Sequence, residues 1–308
     1  MRAWLFPGQG SQYVGMMRGF PEAFPQAREY LERAEAILGF DVYQLCIEGP
    51  EERLRQTEYT QPALFVHEAI VVEVVREVLP ADAVAGHSLG EFSALYAAGV
   101  LSFEDTLWLV KLRGEAMAEA GRHAPGAMAA VIGLEDAVVE DIVARLSRDN
   151  NNGVLVAANY NAPGQVVISG SAELVRAAIA HLREAGATKV IELAVSGAFH
   201  SPLMEPARQR LAEAIAATTF SPAQIPIYCN VSATPLQDAE QLRQTLLAQL
   251  TSPVRWRQTL ERMYADGIRE FVELGPGRVL QGLVRRTLSG VSVSGIDTIQ
   301  DVLQVRGE

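Results

Sequence analysis

The sequence predicts an α/β fold with a small ferredoxin-like subdomain inserted into it, and three observations lead there. Short apolar runs alternate with segments of helical spacing along most of the chain. One run, DAVAG at 82–86, passes directly into HSLGEFSALYAAG, so a strand enters a helix through a sharp turn. Between about 125 and 196 the order becomes β-α-β-β-α-β, a ferredoxin-like signature over roughly 70 residues.

Taken in order, RAWLF at 2–6 is a short apolar run ending at Pro7-Gly8, which suits a buried strand entering a loop. Helical spacing appears over 22–38 and 62–79, and a further helix is expected over 103–120, ending near Gly121. In the inserted unit, MAAVIG (128–133) reads as a strand and EDAVVEDIVARLSR as a helix. VLVAANYN and GQVVISG read as strands joined around Asn161–Gly164, followed by the helix SAELVRAAIAHLREAG and the strand TKVIELAVS. Beyond it, helices are expected near 203–217, 237–250 and 255–266, with strands at IPIYCN (225–230) and EFVEL.

At 308 residues the chain exceeds the common domain size of roughly 100–200 residues, so one large domain or two unequal ones are expected. The cysteines Cys46 and Cys229 lie far apart without CxxC spacing and read as reduced, buried residues, which favours a cytoplasmic setting. No apolar run approaches the length of about 18 residues needed to span a membrane, and the N-terminus lacks a signal-peptide core. A net charge of −11 argues against nonspecific nucleic-acid binding. Residues 251–308 are richer in arginine, and Arg255, Arg257, Arg278, Arg285 and Arg286 are candidates for a local basic surface.

The strongest chemical signal is Gly86-His87-Ser88-Leu89-Gly90. GxSxG puts a serine on a tight strand-to-helix turn where small flanking residues relieve crowding. The next amide, on Leu89, then lies at a helix N-terminus, where free donors and the helix dipole favour an oxyanion. A serine nucleophile needs a base, and five histidines are available. His67 and His181 fall within expected helices, His123 in an expected linker, and His87 is placed to brace the turn. His200, in the loop after a strand, holds a position typical of a base, although residue chemistry alone leaves the choice open. Arg113 lies in a helix, where an ordinary exposed arginine is the simpler reading from spacing alone.

Several motifs occur in one order: FPGQGSQ (6–12), TQPAL (60–64), GHSLGEFSAL (86–95), KLRGEAM (111–117), NAPGQVVISG (161–170), GAFHS (197–201), SPVRW (252–256) and ELGPGRVL (273–280). Together they resemble the malonyl-CoA:acyl carrier protein transacylase family, which includes acyltransferase domains of polyketide synthases. The resemblance implies an α/β-hydrolase-like large subdomain (1–124 and 197–308) and a ferredoxin-like small subdomain (125–196). It implies Ser88 as nucleophile, His200 as base and acid, and the Gln9 and Leu89 amides as oxyanion hole. Arg113 would bind the malonyl carboxylate, a backbone carbonyl at Gln249 would orient His200, and Gln61, Asn159 and Asn161 would line the pocket. Phe199, in the AFH sequence, would crowd a methyl branch on the substrate.

The activity so implied is ping-pong transfer of malonyl from malonyl-CoA to the phosphopantetheine thiol of an acyl carrier protein, with no metal or bound organic cofactor and a monomer as default. The look is closest to free-standing enzymes serving polyketide synthases, with the fatty-acid enzyme similar. A malonate decarboxylase transferase subunit, a hydrolase clearing acyl groups from carrier proteins, and a noncatalytic docking module are the alternatives. Arg113 disfavours the hydrolase, because a pocket for neutral acyl chains gains nothing from a buried cation.

Overall fold

The chain opens with β1 (Arg2–Phe6) and passes through a glycine loop to α1 (Phe20–Ala23), α2 (Pro25–Leu38), α3 (Val42–Glu48), α4 (Glu51–Leu54) and α5 (Thr57–Val75). β2 (Ala83–Gly86) feeds α6 (Gly90–Ala97), and α7 (Phe103–His123) follows. Next come β3 (Gly126–Ile132), α8 (Asp136–Asp149), β4 (Leu155–Ala162), β5 (Gln165–Ser171), α9 (Ala172–Glu184) and β6 (Lys189–Glu192). A 3-10 turn at Pro202–Met204 enters α10 (Glu205–Ala217), then β7 (Ile227–Tyr228), β8 (Pro235–Leu236), α11 (Ala239–Gln249) and α12 (Trp256–Ala265). The chain closes with β9 (Glu270–Leu274), α13 (Val279–Thr287), β10 (Ser292–Ile296) and α14 (Ile299–Arg306). This computed structural model describes residues 1–149 and 153–307.

Two sheets result, and the fold is mixed α/β. The larger has six strands in the order β10-β9-β1-β2-β7-β8, parallel except for the β7–β8 pair. Along β1, alternate side chains point to opposite faces. Trp4 and Phe6 enter the core built with α2, α5, α6 and α7, while Ala3 and Leu5 face Trp256, Leu260 and Leu283 on the other side. A parallel sheet buried on both faces explains why its strands read as unbroken apolar runs. The smaller sheet is antiparallel, ordered β4-β5-β3-β6, with α8 and α9 packed over its own core. A short segment stitches the two together: Val254 donates to the Ala158 carbonyl at 2.8 Å and accepts from the Tyr160 amide at 2.9 Å. An Arg257–Asp136 ion pair at 2.9 Å and an Arg286–Gln165 hydrogen bond at 2.8 Å cross the same seam. Two of the five arginines expected to form a basic surface are thus tied down, Arg257 to α8 and Arg286 to β5.

Several elements differ from expectation, each for a local reason. The helix expected at 62–79 spans Thr57–Val75, with Pro62 inside it. Its start is fixed by close packing on α7, where a Cβ at Gly114 would lie 3.0 Å from the Thr57 carbonyl. The helix expected to stop near Gly121 continues to His123, so His123 belongs to the last turn of α7 and not to a linker. The strand expected over 188–196 runs only over Lys189–Glu192; Leu193 keeps one bond to β3, donating to the Met128 carbonyl at 2.8 Å, and the chain then leaves the sheet edge, with Leu193 and Val195 lining a cavity. IPIYCN yields only two paired residues, since Cys229 closes a turn with Thr234 and Asn230 leaves the ladder. Cys46 and Cys229 are both buried and unpaired. Among the described residues, no helix is long and apolar enough to cross a membrane.

Candidate active site

Ser88 sits where β2 turns into α6, in the left-handed region at φ 54°. Such a backbone costs a non-glycine residue about 1–3 kcal/mol, and it persists only where neighbours hold it. Here they do. Asn230 accepts from the Ser88 amide at 2.8 Å and donates to the Gly86 carbonyl at 2.6 Å, while Gln249 Nε2 donates to the Ser88 carbonyl at 3.0 Å. The flanking glycines answer to space: a Cβ on Gly86 would stand 1.9 Å from Gly90, and one on Gly90 would stand 2.1 Å from the Phe6 carbonyl oxygen.

His200 lies across the cavity, also at positive φ (56°), in a loop pinned by the Ser201 hydroxyl donating to the Ala198 carbonyl at 2.6 Å. Its Nδ1 donates to the backbone carbonyl of Gln249 at 2.9 Å, which leaves Nε2 unprotonated and 2.7 Å from Ser88 Oγ. That is the geometry of a base ready to accept the serine proton. Burial and the nearby Arg113 cation push the imidazole down to about 3, so it rests neutral.

Arg113 is 1% exposed. Its Nη1 donates to Gln61 Oε1 at 2.8 Å, and its Nη2 to Gln249 Oε1 at 3.0 Å and to Ser88 Oγ at 3.1 Å. The ordinary exposed helix arginine is therefore excluded. Burial lowers its pKa to about 10, partly offset by Glu91, so it remains a cation at neutral pH. Glu91, buried beneath the turn, is pushed up to about 7 by burial and drawn back by the Asn230 amide, Gln249 and Arg113. The guanidinium Nε has no partner. A buried cation with spare donors beside a serine hydroxyl suits an anionic group carried by an acyl substrate.

These groups share a cavity of about 240 Å³. Ser88, His200, Arg113, Gln9, Leu89, Gln61, Phe199, Asn159 and Asn161 all line it, whereas Gln249 stands behind it. The loop carrying Gln9 is pressed against the serine turn, since a Cβ on Gly8 would lie 2.5 Å from the His87 carbonyl. Gln9 Nε2 is tied to Thr57 at 3.1 Å. Among the described residues, neither the Gln9 nor the Leu89 amide is committed to another backbone acceptor. His87 braces the turn: its Nε2 meets Asn161 Oδ1 at 2.8 Å and its ring packs edgewise on Trp256. His67 is buried in the core, His181 and His123 lie outside the cavity, and none of the three approaches Ser88.

Sequence reasoning missed Asn230, Glu91 and the side chain of Gln249. It also missed the apolar wall of Met117, Met128, Leu193 and Val195, and the α13 residues Val279, Leu280 and Leu283. Glu91 left a usable signal, a lone carboxylate in the otherwise apolar GEFSALYA helix. Asn230 and Gln249 left none, because each acts across more than 140 residues of chain.

The chain is similar along nearly its whole length to known proteins. A malonyl CoA-acyl carrier protein transacylase of Bacillus subtilis (strain 168) is 40% identical over 310 residues, spanning 99% of this chain and 97% of its own. The structure of malonyl-CoA:acyl carrier protein transacylase (FabD) from Xanthomonas oryzae pv. oryzae is 42% identical, with a TM-score of 0.93 over 98% of this chain and 96% of that one. A malonyl-transacylase in complex with its type II PKS acyl-carrier protein reaches 0.94 at 37% identity, over 100% and 99%. The acyl transferase domain family matches residues 3–302, and the chain belongs to that family.

Proposed function

We propose that this chain transfers malonyl from malonyl-CoA to the phosphopantetheine thiol of an acyl carrier protein by a ping-pong route through Ser88, supplying extender units for polyketide or fatty acid assembly. One observation carries the reading: the Arg113 guanidinium and the His200 Nε2 meet the same serine oxygen, at 3.1 and 2.7 Å, in one cavity. A base activates the hydroxyl, and a fixed cation beside it selects an acyl group ending in a carboxylate.

Ser88 Oγ attacks the thioester carbon as its proton passes to His200 Nε2. The oxyanion falls to the amides of Gln9 and Leu89. The intermediate collapses by breaking the carbon–sulfur bond, His200 returns the proton to the departing coenzyme A sulfur, and a malonyl-serine ester remains. The carrier thiol then gives its proton to His200 and attacks the ester, and Ser88 leaves with that proton. The Gln249 carbonyl stabilises the transient imidazolium where many hydrolases use a carboxylate. The cycle as written uses only groups of the chain and its two substrates.

The same proposal names the parts. Residues 1–124 and 197–308 form an α/β-hydrolase-like subdomain, supported by the parallel sheet and the strand–Ser88–helix turn. Residues 125–196 form a ferredoxin-like one, supported by the strand order β4-β5-β3-β6. Two unpaired thiols accord with a cytoplasmic setting. Intact-mass measurement after incubation with malonyl-CoA tests the function: wild type gains one malonyl and Ser88→Ala gains none. Loading of the Ser88→Ala chain at another residue would refute the nucleophile.

A further inference from the structure

Gln249, the last residue of α11, has no exposed surface, and three of its four polar groups are used inside the site. Its backbone carbonyl accepts from His200 Nδ1 at 2.9 Å, its Oε1 accepts from Arg113 Nη2 at 3.0 Å, and its Nε2 donates to the Ser88 carbonyl at 3.0 Å. We propose that the Gln249 carboxamide is a positioning residue that builds the carboxylate clamp and the oxyanion hole as one unit. The inference rests on the functional reading of Ser88, Arg113 and Leu89 given above and adds a role to a side chain for which that reading has none.

The argument is geometric. An amide accepts at one end and donates at the other, so its orientation is fixed when a cation stands on one side and a carbonyl on the other. The carbonyl it holds belongs to the Ser88–Leu89 peptide. In a trans peptide the C=O and N–H point in opposite directions, so anchoring the Ser88 oxygen aims the Leu89 N–H away from Gln249. Leu89 lines the cavity, and its N–H is the proposed oxyanion donor. At the other end, Nη2 of Arg113 has two N–H groups. Gln249 takes one, which fixes the direction of the second toward Ser88 Oγ, the side from which an acyl substrate arrives. Neither contact is replaceable by water, because Gln249 and Arg113 are both sealed from solvent.

Two substitutions separate the ends while keeping the backbone carbonyl for His200. Gln249→Glu retains an acceptor for Arg113 but loses the amide donor to Ser88, and it sets a second acidic group beside Arg113 and Glu91. Gln249→Met loses both ends at similar volume. Ser88 loading from malonyl-CoA and from acetyl-CoA is followed by quenched intact mass, with kcat and KM separated. For Gln249→Met, kcat should fall about 10-fold or more for both donors, since oxyanion donors act on either, and KM should rise for malonyl-CoA alone. For Gln249→Glu, kcat should fall for both, malonyl KM should rise further, and the His200 titration should move up in pH. A packing role alone would not raise KM for malonyl-CoA and spare acetyl-CoA in the uncharged Gln249→Met chain. Wild-type kcat in either folded variant, or equal KM changes for the two donors, overturns the proposal. If Gln249→Met does not fold, the Gln249→Glu chain decides by the same criteria. Failure of the wild-type chain to load malonyl is a different result, which removes the functional reading itself.

Discussion

Replacing Arg113 by Met tests the proposed source of malonyl selectivity. In the free protein the guanidinium is sealed from solvent and held by Gln61, Gln249 and Ser88. A malonyl carboxylate entering this cavity would gain two charge-assisted hydrogen bonds of ~1.5–3 kcal/mol each, together roughly 3–6 kcal/mol. At about 1.4 kcal/mol per factor of ten, malonyl loading should lose roughly 10²- to 10⁴-fold in kcat/KM. Acetyl has no carboxylate to lose, and in wild type it leaves the cation unpaired. Removing the cation also relieves its pressure on His200, whose basicity it depresses. Acetyl loading should therefore hold steady or rise. Quenched-flow intact mass with both thioesters measures each rate at Ser88. The variant also strands the Gln61 and Gln249 oxygens, at about 1–3 kcal/mol for each lost partner, so assays belong well below its melting temperature. An equal fall for both donors in a folded variant would refute the clamp.

Three further outcomes are expected. His200 should be neutral at pH 5 in the free protein, because burial and Arg113 hold its pKa near 3; an imidazole NMR midpoint near 6.5 would contradict that. Since the folded value lies below the unfolded one, the unfolded chain takes the proton first, and this group's contribution to stability is lost as pH falls from about 6.5 toward 3. Gly90→Ala should abolish loading and lower the melting temperature sharply, as its Cβ would press to 2.1 Å from the Phe6 carbonyl oxygen; a stable, active variant would show that the turn tolerates a side chain. Phe199→Ala should shift the methylmalonyl-to-malonyl loading ratio upward by roughly 10- to 200-fold, the worth of about 1–3 kcal/mol for one methyl, and an unchanged ratio would remove Phe199 from selectivity.

What the sequence disclosed follows from how local each feature is. β1, β2 and β9 were legible because a parallel sheet buried on both faces demands unbroken apolar runs. The serine turn was legible because Gly86 and Gly90 sit within two residues of Ser88 and answer to contacts there. Arg113 shows the limit. Helical spacing made it an ordinary surface residue, and its burial arises only because α7 packs so closely on α5 at Gly114. The secondary structure after 274 went unread for a similar reason. β10 is an edge strand with only one fully buried residue, and α13 is only nine residues long, with Gly282 inside it and Arg285 and Arg286 in its last turn.

The arrangement also explains why such distant segments must dock before any chemistry can occur. Ser88 and His200 both sit in left-handed backbone, at φ 54° and 56°, and each such residue costs about 1–3 kcal/mol. Neither segment can hold that conformation alone. The serine turn is held by Asn230 after β7 and by Gln249 ending α11, and the histidine ring by Gln249 again. The oxyanion loop is held by Gly8 pressing on His87, and the far wall by the small sheet through Asn161. Partial folding therefore leaves no partial site: a chain with α11 undocked loses the base orientation, one partner of the cation and one clamp on the nucleophile in a single step. The Ser88 hydroxyl meets His200 Nε2 and the Arg113 guanidinium only in the finished cavity, so the proposed chemistry waits on complete docking.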